Sequence, residues 1–325
     1  MLSRVADSIY WMSRYIERAE NVARFIHVNL KLSLDPSGAS DQWAPLIYIT
    51  GDEEQFTQKY GAADQRSVVE FLAFDSTNPN SIISCLRMAR ENARMVRDMI
   101  SSAMWEEINK FFLTVRSSAS DRTIYDAPFE FFNQVILASH LVQGITDASM
   151  SHNEAWHFHR MGRLLERADK TSRLLDVKYF VLLPSLDDVG TAIDTIQWSA
   201  LLESASALEM YRKRYGRISP DDVAEFLVLD REFPRAIHFC LIEAEKSLAA
   251  VTGNTGGRNY SKAEQLLGRL RSELNYARID EIISGGLHEF VDHVQGQLNG
   301  VGEAIYDCFF APPPAAVLQP LGQSQ

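Results

Sequence analysis

The chain has 325 residues, 46% hydrophobic and 23% charged, an ordinary globular composition with enough length to bury a sizeable core. Its net charge of −11 argues against nucleic-acid backbones as partners, and no apolar run approaches the length of a membrane span. Three cysteines (Cys85, Cys240, Cys308) without CxxC spacing suit a reducing cytoplasm, and the opening Met1-Leu-Ser-Arg-Val-Ala-Asp lacks the apolar block and cleavage site of a secretory signal.

The first predicted element is one long helix over residues 3 to about 34. Ile9, Met12, Ile16, Ala19, Ala23, Ile26 and Leu30 step by three and four, a core-facing stripe. Trp11, Tyr15, Val22 and Phe25 form a second apolar face that contains Arg18, so burial on two sides is expected. Arg14, Glu17, Asn21 and Arg24 make a polar stripe beside it. Ser3 is the expected N-cap, and Asp35-Pro36 ends the pattern. Further helices are predicted over 41–60, with Gly61 as C-cap, then about 65–74, about 80–103, Met104 to about Ser118, and from Ala127-Pro128 to about Ser149. Ser151-His-Asn-Glu154 reads as a capping box that opens a long helix ending near Leu183-Pro184.

The remainder repeats the beginning. Residues 42–86 align without a gap on 197–241, with 15 identities in 45 positions, against roughly three expected from ordinary residue usage. Glu17-Arg18 recurs as Glu166-Arg167, 149 residues on. The expected fold is all-α: an internally duplicated antiparallel multi-helix bundle with pseudo-two-fold symmetry. Residues 1–150 form the first repeat, 151–311 the second, sharing one core, and 312–325 a disordered tail rich in Pro and Gln. A six-residue insertion near 184–190 separates the two registers.

The Glu-Arg pairs are the leading candidate site. Adjacent helix residues cannot face each other, so each member needs a partner elsewhere. If the repeats meet at a pseudo-axis, Glu17 pairs with Arg163 or Arg167 and Glu166 with Arg14 or Arg18, locking the repeats together. The functional alternative is an anion or carboxylate site of converging guanidinium groups, with a Glu as orienting group or base. Glu20–Arg24 and Asp169–Arg173 read as i,i+4 surface pairs. Weaker candidates are Glu154 and His157, at the spacing of di-iron bundles, with His152, His140 and Asp147 near them in a polar pocket. No second Glu-x-x-His exists, so no metal or other cofactor is expected. Cys85 and Cys240 read as small buried apolar residues, Trp43 and Trp198 as core anchors, and 252–259 as a flexible glycine linker without a phosphate-loop ending.

Several ordered stretches together resemble the Alpha-E family: Met1 to Asn21, Ala89-Arg-Glu-Asn-Ala-Arg, Met104-Trp-Glu, Ser139-His-Leu-Val-Gln-Gly, Met150 to Phe158, and Arg163-Leu-Leu-Glu-Arg-Ala-Asp. The resemblance runs from residue 1 to about 310 and places the family's Glu-Arg hallmark at Glu17, Arg18, Glu166 and Arg167. It implies association with a circularly permuted ATP-grasp ligase and a transglutaminase-like protein, hence peptide or amide-bond formation. It carries no established activity. The expectation is a non-catalytic partner or peptide- or carboxylate-binding component. The alternatives are a cryptic enzyme built on Glu17, Glu166, His152 and His157, and a homo-oligomeric scaffold.

Overall fold

The structure, a computed structural model, describes residues 1–33, 43–120, 124, 128–180, 191–254 and 260–311. The stop at Asp35-Pro36, Gln42 of the repeat match, the insertion at 184–190, residues 255–259 of the glycine linker and the tail from Pro312 lie outside them. Among the described residues every regular element is helical. The first stretch contains α1 (Ser3–Leu32), α2 (Ala44–Thr50), α3 (Glu53–Tyr60), α4 (Gln65–Val69) running into a π-helical turn (Glu70–Phe74), α5 (Ile82–Met95), α6 (Ser102–Ala119) and α7 (Pro128–Ser149). The second contains α8 (Glu154–Phe180), α9 (Ala192–Ser204), α10 (Leu208–Tyr215), α11 (Pro220–Val228), α12 (Ile237–Thr252), α13 (Lys262–Tyr276), α14 (Ile279–Gly285) and α15 (Leu287–Ile305), then another π-helical turn (Tyr306–Phe310).

The α1 stripe is almost water-free: Ile9, Met12, Ala19, Ala23 and Ile26 are 0% exposed. Each large aliphatic side chain so buried stabilises the fold by roughly 1.5–3 kcal/mol over an exposed one. On the second face Val22 and Phe25 are buried and Trp11, Tyr15 and Arg18 half-buried, because α5, α7 and α8 all pack on α1. One continuous hydrophobic cluster runs from Ala6 to Phe310.

Local chemistry moves several predicted boundaries. Leu2 precedes α1 without a side-chain cap, so Ser3 is a first-turn residue. The helix expected over 41–60 is two, because Gly51 (φ +76°) takes the left-handed conformation that closes α2. The helix expected to reach 103 stops at Met95. Val96 leaves helical geometry (φ −121°), and the Ser101 hydroxyl caps α6 by accepting the Met104 N–H at 3.2 Å. The Ser151 capping box does not form. Asn153 supplies the cap instead, its Oδ1 accepting the Ala155 N–H at 3.0 Å, while Glu154 pairs with the Met1 ammonium at 2.9 Å.

Both stretches use the same packing scheme. α1 is flanked by α5 and α7, with α6 touching both; α8 is flanked by α12 and α15, with α13 touching both. Ser206 (φ +51°) is the one described non-glycine residue with positive φ, and it stands 155 residues after Gly51. The thiols of Cys85 and Cys240 donate to the carbonyls of Pro79 (3.7 Å) and Pro234 (3.5 Å), also 155 apart.

Candidate functional site

The site grows from the contact between α1 and α8. Partners across it keep a nearly constant sequence difference: Met1 with Glu154, Arg14 with Glu166, Glu17 with Arg167. A constant difference, rather than a constant sum, means that the two helices run parallel. They touch at Gly162, where a Cβ would lie 2.4 Å from both the Tyr10 carbonyl oxygen and Ser13 Oγ. That close approach brings the next turn of each helix, carrying the Glu-Arg pairs, within ion-pairing distance of the other.

On one side stands Glu166, with 0% of its side chain exposed. It accepts from Arg14 Nε (2.8 Å), Arg18 Nε (2.7 Å) and Arg18 Nη2 (3.0 Å), with Lys170 Nζ 3.8 Å away. Arg18 Nη1 continues to Asn80 Oδ1 (2.8 Å), and Asn80 Nδ2 to Asp52 (2.8 Å). Arg14 Nη1 donates to the Tyr10 hydroxyl at 3.2 Å. Burial alone pushes the Glu166 carboxyl up, but the Arg18 and Arg14 guanidinium groups override this and hold it well below the usual carboxylate range.

On the other side Glu17, equally buried, takes Arg167 bidentately (2.8 and 2.9 Å) and Arg235 Nη1 at 3.0 Å. Glu20 extends this cluster. It accepts from Arg24, Arg235, Ser139 Oγ (3.0 Å) and Gln143 (3.2 Å), and meets His140 Nε2 at 3.2 Å. Burial raises Glu17 and Glu20, and their arginines more than reverse it. Glu20, Arg24 and Asp169 are therefore not surface residues: they are 0%, 7% and 8% exposed. The i,i+4 spacing alone cannot tell a solvated pair from one buried beneath a third helix.

The model of a domain described as "a predicted alpha-helical domain with a conserved ER motif" matches residues 1–310 of this chain. The chain belongs to the Alpha-E family. It is 23% identical to uncharacterized proteins of Mycobacterium bovis and of Mycobacterium tuberculosis, over 93% of its own length and 36% of theirs. This Alpha-E chain thus spans about a third of the curated relatives it matches. No solved structure matches it.

Arg163 bonds to neither glutamate: its Nε is buried without a hydrogen-bond partner among the described residues. Glu17 takes its second guanidinium from Arg235 instead, on Oε1. Of the residues expected in a polar pocket, Asp147, His152 and His157 meet around Trp156: His152 stacks on its ring (4.0 Å), His157 meets it edge-on (5.0 Å) and Asp147 accepts from its Nε1 at 3.3 Å, while His140 turns away to Glu20. Among the described residues no three His, Cys, Asp or Glu side chains are grouped to hold a metal. Cys85 and Cys240 are buried, which pushes each thiol up to about 12. Trp43 and Trp198 lie in the core of this Alpha-E fold, Trp198 beneath the buried Lys178 ammonium at 5.1 Å. No helix of the described residues is long and apolar enough to cross a membrane.

Sequence reading missed Arg235, Glu20, Lys170 and Asn80. A signal for one pair was available: in the 155-residue register Asn80 and Arg235 face each other immediately after the matched prolines.

Chemically, the arrangement holds two helices together. All four oxygens of Glu17 and Glu166 accept from guanidinium groups. Carboxylates held this far below neutral pH are weak bases. Removing one partner strands buried charge, which costs about 3–5 kcal/mol where the surviving groups stay dry and less where they can rehydrate.

Proposed function

We propose that this chain is a non-catalytic helical component, a partner and peptide- or carboxylate-binding unit, of an ATP-grasp-linked peptide or amide-bond-forming system in the cytoplasm. One observation carries the non-catalytic part: the Glu-Arg pairs engage each other across α1 and α8 instead of opening into a pocket. The association with an ATP-grasp ligase and a transglutaminase-like protein rests on the family resemblance. The mycobacterial relatives support a component role, since the matched region is 36% of their length. Three unpaired cysteines, two of them buried, agree with a reducing compartment.

The reading includes an internal duplication, with residues 1–150 and 151–311 as repeats about a pseudo-two-fold axis parallel to α1 and α8. Its support is the shared packing scheme, the left-handed pair Gly51 and Ser206, and the thiol pair Cys85 and Cys240. The Glu-Arg motif is then the joint of the two repeats. Affinity capture of the tagged chain from its native cell tests the partner assignment. Co-purification of an ATP-grasp or transglutaminase-like protein is expected, and recovery of neither overturns it.

A further inference from the structure

The two clusters differ in what lies beside them. Where α7 meets the Glu17 cluster, the Gln143 side chain fills the space, its amide reaching Glu17 (3.4 Å) and Glu20 (3.2 Å). Where α15 meets the Glu166 cluster, the helix presents Gly302, whose missing Cβ would lie 3.9 Å from Arg14 Nη1. A cavity of about 430 Å³ opens there between α1, α8, α15 and the terminal π-helical turn. Its size is within the range of small-molecule sites.

Two lining groups have unspent hydrogen-bonding capacity. Arg14 uses Nε on Glu166 and Nη1 on Tyr10, leaving Nη2 without a hydrogen bond to any described residue. The Glu303 carboxylate makes no hydrogen bond or ion pair among the described residues. Arg14 and Glu303 line the same cavity from different helices without forming an ion pair, so a ligand can separate them. The aromatic rings of Trp11, Tyr306 and Phe310 provide apolar walls, with the Arg14 guanidinium 4.8 Å over the Trp11 ring.

We infer that this cavity binds a zwitterionic α-amino acid or short peptide, its carboxylate on Arg14, its ammonium on Glu303 and its side chain among the aromatic rings. The Glu166 carboxylate fixes the Arg14 guanidinium, so that the outward edge is pre-oriented for a second carboxylate. A simple anion would satisfy Arg14 alone and an amine only the carboxylates, Glu303 and the already ion-paired Asp169 that also lines the cavity; a zwitterion satisfies both signs of charge. The inference rests on the peptide-binding half of the proposed function and names its ligand class.

Calorimetric titration of the full chain tests it. The probes are Ala-Ala, Ala-Glu and Ala-Phe, the corresponding free amino acids, and N-acetylated and C-amidated forms of each. At least one zwitterion is expected to bind. Acetylation and amidation should each weaken binding tenfold or more, and Glu303→Gln should do so while leaving the melting temperature unchanged. Gly302→Gln, which places in this cavity the side chain found on α7, should abolish binding. The inference is overturned if no probe binds, if blocked and unblocked probes bind alike, or if Glu303→Gln leaves affinity intact. Binding without capture of a ligase overturns only the partner assignment; capture without binding overturns only this site.

Discussion

The Glu166 and Glu17 clusters start from the same two residues and end as different objects. Glu166 receives two arginines from α1 that keep 18% and 16% of their side chains exposed. Glu17 receives Arg167 and Arg235, at 9% and 8%. The difference traces to one position. Asn80 in the first stretch is neutral and takes a single bond from Arg18; Arg235 in the second reaches Glu17, Glu20 and Asn21. Glu17 is bound by Arg235 and not by Arg163, whereas Arg14 is bound on Glu166 and edges a cavity. One cluster is closed and structural; the other keeps an open edge.

The largest expected effect tests that contrast directly. Glu17→Gln strands two nearly water-free arginines and should cost about 3–5 kcal/mol. Glu166→Gln leaves arginines that can rehydrate and should cost about 1–3 kcal/mol. Equal shifts in the denaturant midpoint would remove the distinction. Gly162→Ala follows, at about 3 kcal/mol, because the new methyl meets Tyr10 backbone rather than the end of a flexible side chain.

A pH titration sharpens the comparison next. His159 on α8 is buried, and its imidazole is pushed down from 6.5 to about 3 by burial first and then by the Arg163 charge. The unfolded chain therefore binds a proton below pH 6.5 that the folded chain refuses. Stability should fall by about 1.4 kcal/mol per pH unit from there toward pH 3. His159→Phe should remove the largest part of this upper limb, leaving the smaller contributions of His27, His157 and His238, whose imidazoles burial also pushes down. The loss that begins below about 4.5, where the unfolded forms of Glu17, Glu20 and Glu166 take up protons before the folded ones, should remain. Chemical denaturation across pH 3.5–7.5 reads both.

A double-mutant cycle on Arg235 and Arg163 comes fourth in size. In Arg235→Asn, Arg163 is expected to move onto Glu17, so removing it should then cost at least about 0.5 kcal/mol more than in the parent. Additivity would mean that Arg235 does not displace it. Opposite in sign is Gly302→Ala, which should stabilise α15 by about 1 kcal/mol in a thermal melt, since the new methyl makes only an ordinary van der Waals contact with Arg14.

The helices were legible because α1 states its periodicity over about six turns from Ile9 to Leu30, and the proposed repeat rests on Trp, Gly, Pro and Cys recurring at fixed spacing. The site was legible only in part. Glu17 and Glu166 stood out as recurring charges in apolar text, but a heptad pattern does not say which third helix covers a polar stripe. Glu20 therefore read as solvated, although α7 and Arg235 bury it. Arg235 lies 218 residues from Glu17, and no local pattern reaches that far. The Gly302 cavity had no sequence mark: a glycine in a helix shows a missing side chain, not what faces the gap.

The same separation has a consequence for synthesis. At about 5–20 residues per second, roughly 10–40 s pass between the emergence of Glu17 and that of Arg235. Until α8 emerges Glu17 lacks Arg167, and until α12 emerges both Glu17 and Glu20 lack Arg235, while Glu20 has Arg24 of its own helix from the start. The nascent chain is an unfinished half-core that closes late, when its last guanidinium arrives.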